Sequence, residues 1–208
     1  MLLNNIWGLF FGPKETWKDI RDQQCNIFGC FAGHIMWLAA IPAIAGYIGT
    51  TQIGWQIGTR EVHFLTAQSA GVIAVLSYFA MLIGVYGMGW MVHWMSRTYG
   101  AEPTLAQCIT FAAYTATPLF LIGLTLLFPI LWLDMLLGLP AVGYTVYLLY
   151  TGAPIMLGIP EERAFLLSSA VLGLGLVALV AILASTVLLW AAGFGPQLAT
   201  VMPALSAG

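Results

Sequence analysis

The sequence predicts an all-α polytopic membrane protein, with five transmembrane helices preceded by a short N-terminal interfacial amphipathic helix. Hydrophobic residues make up 61% of the 208 residues and charged residues only 7%, whereas soluble domains carry about 25% charged residues. Five apolar stretches are long enough to cross a bilayer, which takes about 20 residues. Every charged residue but one lies outside them. Lipid is therefore predicted to be the main solvent of this chain.

The predicted spans cover Ile27–Gly49, Ala67–Met95, Leu105–Phe128, Ile130–Leu157 and Phe165–Ala192. Pro129 alone joins the third span to the fourth, which predicts a tight antiparallel pair of helices. The sequence thus divides into three parts. They are an N-terminal cytoplasmic or interfacial segment (residues 1–26), the five-span domain (27–193) and a C-terminal tail (194–208).

The distribution of basic residues predicts which way the chain is threaded. One side of the membrane holds Lys14, Lys18, Arg21, Arg97 and Arg163, and the other side holds Arg60. Cytoplasmic loops carry an excess of Lys and Arg. We therefore expect a cytoplasmic N-terminus and, after five crossings, a C-terminus on the opposite side.

The segment before the first span, "GPKETWKDIRDQQ", predicts an amphipathic helix. Pro13 suits the first turn of a helix. Trp17 and Ile20 share one face, while charged residues such as Lys18 and Arg21 lie on the other. We expect this helix on the inner leaflet, with Trp17 as an interfacial anchor at headgroup depth. A solvated linker is the alternative.

Three tyrosines recur every three residues in the fourth predicted span, within "YTVYLLYTGAPIMLGIPEERA". Tyr144, Tyr147 and Tyr150 therefore drift slowly around one side of a helix. Tyr150 is expected at the inner interface, where amphipathic rings are favoured. Tyr144 lies deeper, so its hydroxyl needs a partner in another helix.

The end of the same stretch is interpreted as a turn between two spans. Pro154 bends or loosens the last turns of the fourth helix. Pro160 opens the next helix, with Glu161 and Glu162 in its first turn at the positive end of the helix dipole. Arg163 marks the cytoplasmic side and is placed to pair with these carboxylates.

These motifs resemble a known family, the Yip1 domain. The stretch just quoted, preceded by "YGAEPTLAQCITFAAYTATPLFLIGLTLLF", is similar to the small bacterial inner-membrane members of that superfamily, and so is the lead-in "PKETWKDI". The matching positions are Thr104, Tyr114, Pro118, Tyr147, Tyr150, Gly152, Pro154, Pro160, Glu161 and Arg163. The likeness extends from Pro13 to about Leu189.

The resemblance implies five spans with a cytosolic N-terminus, which the charge distribution predicts independently. It implies the bacterial inner membrane as the location, with the C-terminal tail in the periplasm. It implies no enzymatic activity and no established substrate. Eukaryotic members of the family are linked to membrane traffic and membrane shaping.

Asp134 is the one acidic residue inside an apolar run, "FPILWLDMLLGLP". Carboxylates inside a membrane are costly and often functional. Because Asp134 is expected near the outer interface, beside Trp132, we interpret it as an interfacial structural residue or as a partner of Arg60. Proton or ion handling is the alternative.

No pattern in the sequence predicts catalysis, a metal centre or a bound cofactor. G-x-S-x-G, G-x-G-x-x-G, H-E-x-x-H and the Walker lysine loop are all absent. Cys30, His34 and Cys108 are conceivable metal ligands, but no second pair with a recognised spacing accompanies them. One set of polar residues is expected at the inner face and is interpreted as solvated loop charges, with a catalytic cluster as the alternative. The set is Lys18, Arg97, Glu102, Glu161 and Arg163.

Small residues and prolines predict how the helices pack. Gly29 and Gly33 form a G-x-x-x-G pattern in the first span, and Gly84, Gly87 and Gly89 thin the second, so both helices are expected to approach their neighbours closely. Pro118 and Pro154 interrupt the third and fourth spans. We expect this packing within one copy of the chain, with packing between copies as the alternative.

Three functions are compatible with these observations. We expect a non-enzymatic protein that associates with membrane lipids, other membrane proteins or itself, and so influences membrane organisation. The rival is a small transporter or channel that uses the proline-broken helices, Asp134 and the intramembrane tyrosines, and an enzyme at the inner face comes third. Nucleic acid is not an expected partner, because the net charge is −2 and the chain has no basic run.

Overall fold

The computed structural model describes residues 2–23, 31–54, 63–193 and 195–197. Within these ranges the chain is helical, and no β-strand occurs in them, so the all-α prediction is confirmed there. The α-helices are α1 (Leu2–Phe11), α2 (Pro13–Asp22), α3 (Met36–Ile48), α4 (Ala67–Ser96), α5 (Leu105–Thr115), α6 (Thr117–Ile122), α7 (Leu131–Leu157) and α8 (Glu161–Ala191).

Five helical stretches are long and apolar enough to cross a membrane, as predicted. We call them the first to fifth spans: Gly33–Ile53, Ala67–Tyr99, Leu105–Leu127, Leu131–Leu157 and Glu161–Ala191. π-Helical turns flank α3 at Phe31–Ile35 and Gly49–Ile53. 3₁₀ turns complete the second and third spans at Arg97–Tyr99 and Gly123–Leu127.

The first span differs from its predicted limits. The sequence predicts an end at Gly49, but the helical backbone continues to Ile53. The hydroxyls of Thr50 and Thr51 donate to the carbonyls of Gly46 and Tyr47, at 2.7 and 2.6 Å. The two polar residues are therefore satisfied inside the helix and do not end it. The predicted start at Ile27 lies outside the described residues.

Local signals fix the ends of the other spans. Thr104 and Gln107 form a reciprocal capping box at the start of α5, which satisfies two of the backbone amides that a helix start leaves free. Gly100 and Gly158 have φ of 76° and 66° and end the second and fourth spans in the left-handed region, where glycine is favoured because it has no Cβ. Pro160 then precedes α8, which begins at Glu161.

Two apolar cores hold the helices together. One joins α2 to the third, fourth and fifth spans and includes Trp17, Phe111 and Leu148. The other joins the first, second and third spans and includes Leu38 and Phe120. Because lipid is as apolar as these side chains, close van der Waals packing stabilises such contacts more than water exclusion does.

Only one of the three glycines that are predicted to thin the second span packs closely against a described neighbour. A Cβ at Gly84 would meet nothing within 4 Å, so the prediction that Gly84 packs the second span within the chain is wrong. The close approach is at Gly89, where a Cβ would lie 2.6 Å from the Cα of Ile109. Gly84 precedes Gly89 by five residues, which is one helical turn and nearly half of the next. Gly84 therefore lies on the outward side of α4, away from the face that carries Gly89. Gly29 lies outside the described residues, and Gly33 is half-buried.

The outer surface of the spans is strongly apolar. Val177, Val180 and Leu188 on α8 are each more than half exposed, and nearly every side chain from residue 176 to residue 193 is exposed. Soluble monomers rarely expose apolar patches larger than a few hundred Å². This surface therefore fits a chain surrounded by lipid.

Candidate functional site

The N-terminal helices dock at one end of the bundle, which we call the α2 end. It consists of α2, residues 97–104 between the second and third spans, and residues 158–163 between the fourth and fifth. Trp17 of α2 is completely buried there, with its ring 5.5 Å from Phe111. Gly152 makes room for it, because a Cβ at that position would lie 2.6 Å from the Trp17 ring.

Trp17 is therefore a core residue, and the prediction that it is an interfacial anchor is wrong. The face of α2 that carries Thr16, Trp17 and Ile20 is buried against protein instead of lipid. The physical reason is the gap that Gly152 leaves between the third and fourth spans. The periodicity of a sequence predicts which face of a helix is apolar, but it does not predict whether protein or lipid covers that face.

Within the two N-terminal helices, the outward-facing aromatic residues lie on α1, which the sequence does not predict as a helix. Trp7 is 63% and Phe11 is 82% exposed. Leu9 is buried in the core, and Gly12 separates α1 from α2. The two helices form a compact hairpin in which Gly8 packs against Thr16.

The three tyrosines of the fourth span have separate partners. The Tyr144 hydroxyl donates to the Leu9 carbonyl at 2.6 Å, so its partner in another helix belongs to α1. The Tyr147 ring lies 5.6 Å from the Tyr144 ring and is exposed. The Tyr150 hydroxyl is 2.8 Å from the Ser169 hydroxyl of the fifth span. The tyrosines therefore tie the fourth span to two neighbours and do not form one site.

Arg21 links α2 to the end of the fourth span. Its Nη1 donates to the Ile155 carbonyl at 3.2 Å, which is among the last four carbonyls of α7 and so has no partner in the helix. A cation at this end also suits the helix dipole. Next to this contact is a cavity of about 310 Å³, lined by Ile20 and Arg21 of α2, Met156 of α7 and four residues at the start of the third span. We call it the α2 groove.

The other charged residues of the α2 end are not gathered into a cluster. Among the described residues, the ion pair found is Arg21–Asp22 at 3.4 Å, so the predicted pairing of Arg163 with Glu161 and Glu162 is wrong. Neighbours one or two positions apart on a helix do not face each other. The Arg163 guanidinium instead lies over Gly100, where an added Cβ would come within 2.6 Å of it.

Arg97 and Glu161 are both exposed, in the turn after α4 and in the first turn of α8. Pro118 is buried at the start of α6, and Pro154 is half-buried near the end of α7, where its carbonyl accepts from the Gly158 amide at 3.1 Å. These residues shape turns and do not converge on a common point.

Asp134 lies in the first turn of α7, at the end of the bundle opposite to α2. Its Oδ1 is buried and has no hydrogen-bond partner among the described residues. The predicted partner, Arg60, lies outside those residues. The α2 groove does not include Asp134 or Tyr144, and neither does a second, apolar cavity of about 460 Å³ between the first and second spans.

The one buried histidine of the described spans makes polar contacts rather than a metal site. His34 Nε2 is 3.0 Å from the Thr117 hydroxyl, and its ring lies 4.0 Å from the Tyr114 ring. Cys108 is buried, and Cys30 lies outside the described residues. No group of three or more potential metal ligands occurs in the part of the chain that is described.

Sequence comparison now adds to this architecture. The family model of the Yip1 domain matches residues 7–182, which include α2, the first four spans, most of the fifth and both turns of the α2 end. The chain belongs to the Yip1 domain family. The resemblance of the tyrosine-rich stretch and its turn to that family is thereby confirmed.

Two similar proteins, each called "Inner membrane protein YohC", come from Escherichia coli K12 and from E. coli O6:H1 strain CFT073. Each is 43% identical to this chain over 192 residues, covering 92% of this chain and 98% of the relative. No solved structure matches the chain significantly. The family match and the five membrane-length helices identify this chain as a Yip1-family membrane protein.

The sequence reasoning missed Arg21 and the α2 groove. One signal was available, because "TLAQ" is a capping-box pattern that places a helix start at Thr104. The groove itself joins residues 20–21, 104–110 and 156, and a single sequence does not reveal that these segments meet.

Proposed function

We propose that this protein organises the membrane around it by holding α1 in one leaflet, with lipids as its partners and without an enzymatic step. The observation that carries the proposal is the exposed aromatic face of α1, in which Trp7 and Phe11 point away from the bundle. Tryptophan and phenylalanine on such a face favour the boundary between headgroups and acyl chains.

The apolar area of α1, and not charge, would drive this insertion. α2 carries three basic and three acidic residues in "PKETWKDIRD", so its net charge does not attract it to anionic lipids. Its exposed charges instead favour a position at the headgroup level, which keeps α1 at a shallow depth. A helix inserted in one leaflet adds area to that leaflet alone, and such insertion is sensitive to membrane curvature.

The orientation and division of the chain form part of the same proposal. The excess of Lys and Arg at the α2 end supports a cytoplasmic position for that end. On this basis residues 1–26 lie at the cytoplasmic leaflet of the inner membrane, residues 27–193 form the membrane domain and residues 194–208 extend into the periplasm.

The proposal is tested by the size of vesicles that contain the full chain. Trp7 and Phe11 are both changed to Ala, and vesicle diameter is measured by electron cryo-microscopy. The matched control changes Trp37 and Phe79, which are exposed aromatic residues on the spans. We expect the wild type and the control to give smaller vesicles than the Trp7→Ala/Phe11→Ala variant. Equal diameters for all three proteins at equal density would contradict the proposal.

A further inference from the structure

The α2 groove has the size and the position of a binding site for a small polar group. Its volume is about 310 Å³, at the lower end of the range typical of small-molecule sites. It opens at the α2 end, where α2, the start of the third span and the end of the fourth meet. A headgroup at the membrane surface therefore has access to it.

The groove presents a cation. Among the described residues that line it, Arg21 is the charged one. A guanidinium has five N–H donors, and two of them are used, toward the Ile155 carbonyl at 3.2 Å and toward the exposed Asp22 carboxylate at 3.4 Å. The Ile155 contact holds the guanidinium in place and leaves other N–H groups for a ligand.

The start of α5 adds neutral donors. The capping box uses the Gln107 amide and the Thr104 amide, which leaves the amides of Leu105 and Ala106 without a partner in the helix. Ala106 and Gln107 line the groove. The Gln107 side chain accepts through Oε1, so its NH₂ group also remains available as a donor.

Thr110 gives an independent sign of a ligand. It lines the groove and is only 5% exposed, yet its hydroxyl has no hydrogen bond among the described residues. Comparable hydroxyls on the spans donate to the carbonyl one turn earlier, such as Thr145 to Ala141 at 2.9 Å and Thr151 to Tyr147 at 2.8 Å. The Thr110 hydroxyl is not one of the buried side-chain atoms that lack a partner, so its oxygen is reached from the groove, where a ligand can accept its hydrogen.

We propose that the α2 groove binds a phosphate group, with Arg21, Gln107 and Thr110 as its donors. All three donate hydrogen bonds and Arg21 also carries a positive charge, which is the chemistry that recognises a phosphate oxygen. Ile20 and Met156 line the same cavity and suit the apolar part of a lipid. The inference deepens the proposed function, on which it rests for the presence of lipid.

Binding is measured by native mass spectrometry on the full chain in detergent, with short-chain phosphatidylglycerol as the probe. We expect Arg21→Gln to weaken binding by about tenfold, the effect of one charge-assisted hydrogen bond. Thr110→Val keeps the shape and removes the hydroxyl, and we expect about a threefold to tenfold loss. Arg97→Gln and Thr151→Val are controls outside the groove and should bind like the wild type.

The Thr110→Val variant separates binding from folding. Since the hydroxyl has no partner in the described structure, its removal should leave the thermal unfolding midpoint unchanged or raise it, while the affinity falls. A purely structural role for Thr110 would lower the midpoint and leave the affinity unchanged. Wild-type affinity in both Arg21→Gln and Thr110→Val would overturn the proposal.

Two further probes identify the source of the phosphate. Short-chain diacylglycerol lacks the phosphate, and equal binding of this lipid would overturn the proposal. Soluble glycerol phosphate carries the phosphate alone, and we expect it to compete weakly. If it binds as tightly as the lipid and both variants weaken it, the phosphate site stands and its ligand is soluble.

The lipid-binding experiment and the vesicle experiment can succeed or fail separately. If vesicle diameter does not respond to Trp7 and Phe11 while Arg21→Gln and Thr110→Val lose phosphatidylglycerol, the groove stands and the membrane-organising function falls. If diameter responds while both groove variants bind normally, the function stands and the groove proposal falls.

Discussion

Gly152 and Trp17 show how one missing side chain decides where a helix docks. Trp17 fills the space beside Gly152 and Phe111, and the nearest ring atoms leave no room for a Cβ. The sequence predicts the apolar face of α2 correctly, but the residue that receives it lies more than a hundred positions later. The role of Gly152 therefore follows from tertiary structure alone.

Gly152→Ala is expected to loosen α2 from the bundle. The new Cβ would lie 2.6 Å from the Trp17 ring and 2.8 Å from the Phe111 ring, and overpacking of this kind costs about 1–3 kcal/mol. Thermal unfolding in detergent should show a lower midpoint, and trypsin should cleave α2 faster. Gly143→Ala, on the same helix with nothing within 4 Å, is the control and should behave like the wild type. Equal midpoints for the two variants would refute the docking.

Tyr144 and Arg163 show the limits of reasoning from single residues. A deep tyrosine hydroxyl needs a partner, and that requirement holds whichever helix supplies it. The partner is the Leu9 carbonyl, which no sequence pattern indicates. Arg163 lies over Gly100 because the two inter-span turns meet at the α2 end, and this contact replaces the predicted local pairing.

At the scale of helices, the long spans are predicted well and α1 is not. An apolar run of about 20 residues has few alternatives to a membrane helix, so the described limits of four spans lie within four residues of the prediction. α1 has only 10 residues, and an isolated helix of that length is marginal. The contacts that α1 makes with the bundle through Leu9 and Tyr144 stabilise this short helix. The sequence of a short segment does not show such tertiary contacts.

The contact between the second and third spans gives a test at the same scale. Gly89→Ala would place a Cβ 2.6 Å from the Ile109 Cα and 3.0 Å from its amide nitrogen, so the two backbones must separate, at a cost of about 1–3 kcal/mol. Gly84→Ala meets nothing within 4 Å and gains helix propensity of up to about 1 kcal/mol. The unfolding midpoint in detergent should fall for Gly89→Ala only. If the unfolding midpoint instead falls for Gly84→Ala, the outward face of α4 is packed against another molecule, such as a second copy of the chain.

For the whole molecule, the distribution of polar groups is the strongest constraint. Charged residues lie at the ends of the spans and the long sides are apolar, so the number of membrane-length helices follows from composition and periodicity alone. The candidate site does not follow from them, because the α2 groove combines residues 20–21, 104–110 and 156. Only the packed bundle brings these segments together.

Five crossings require that α2 and residues 195–197 lie on opposite sides of the membrane. The direct test labels single cysteines, Lys18→Cys and Gln197→Cys, in a chain whose Cys25, Cys30 and Cys108 are changed to Ala. A membrane-impermeant maleimide is applied to intact bacterial cells and to lysed cells. We predict that Gln197→Cys reacts in intact cells and that Lys18→Cys reacts only after lysis. Reaction of both positions from the same side would contradict the five-span bundle.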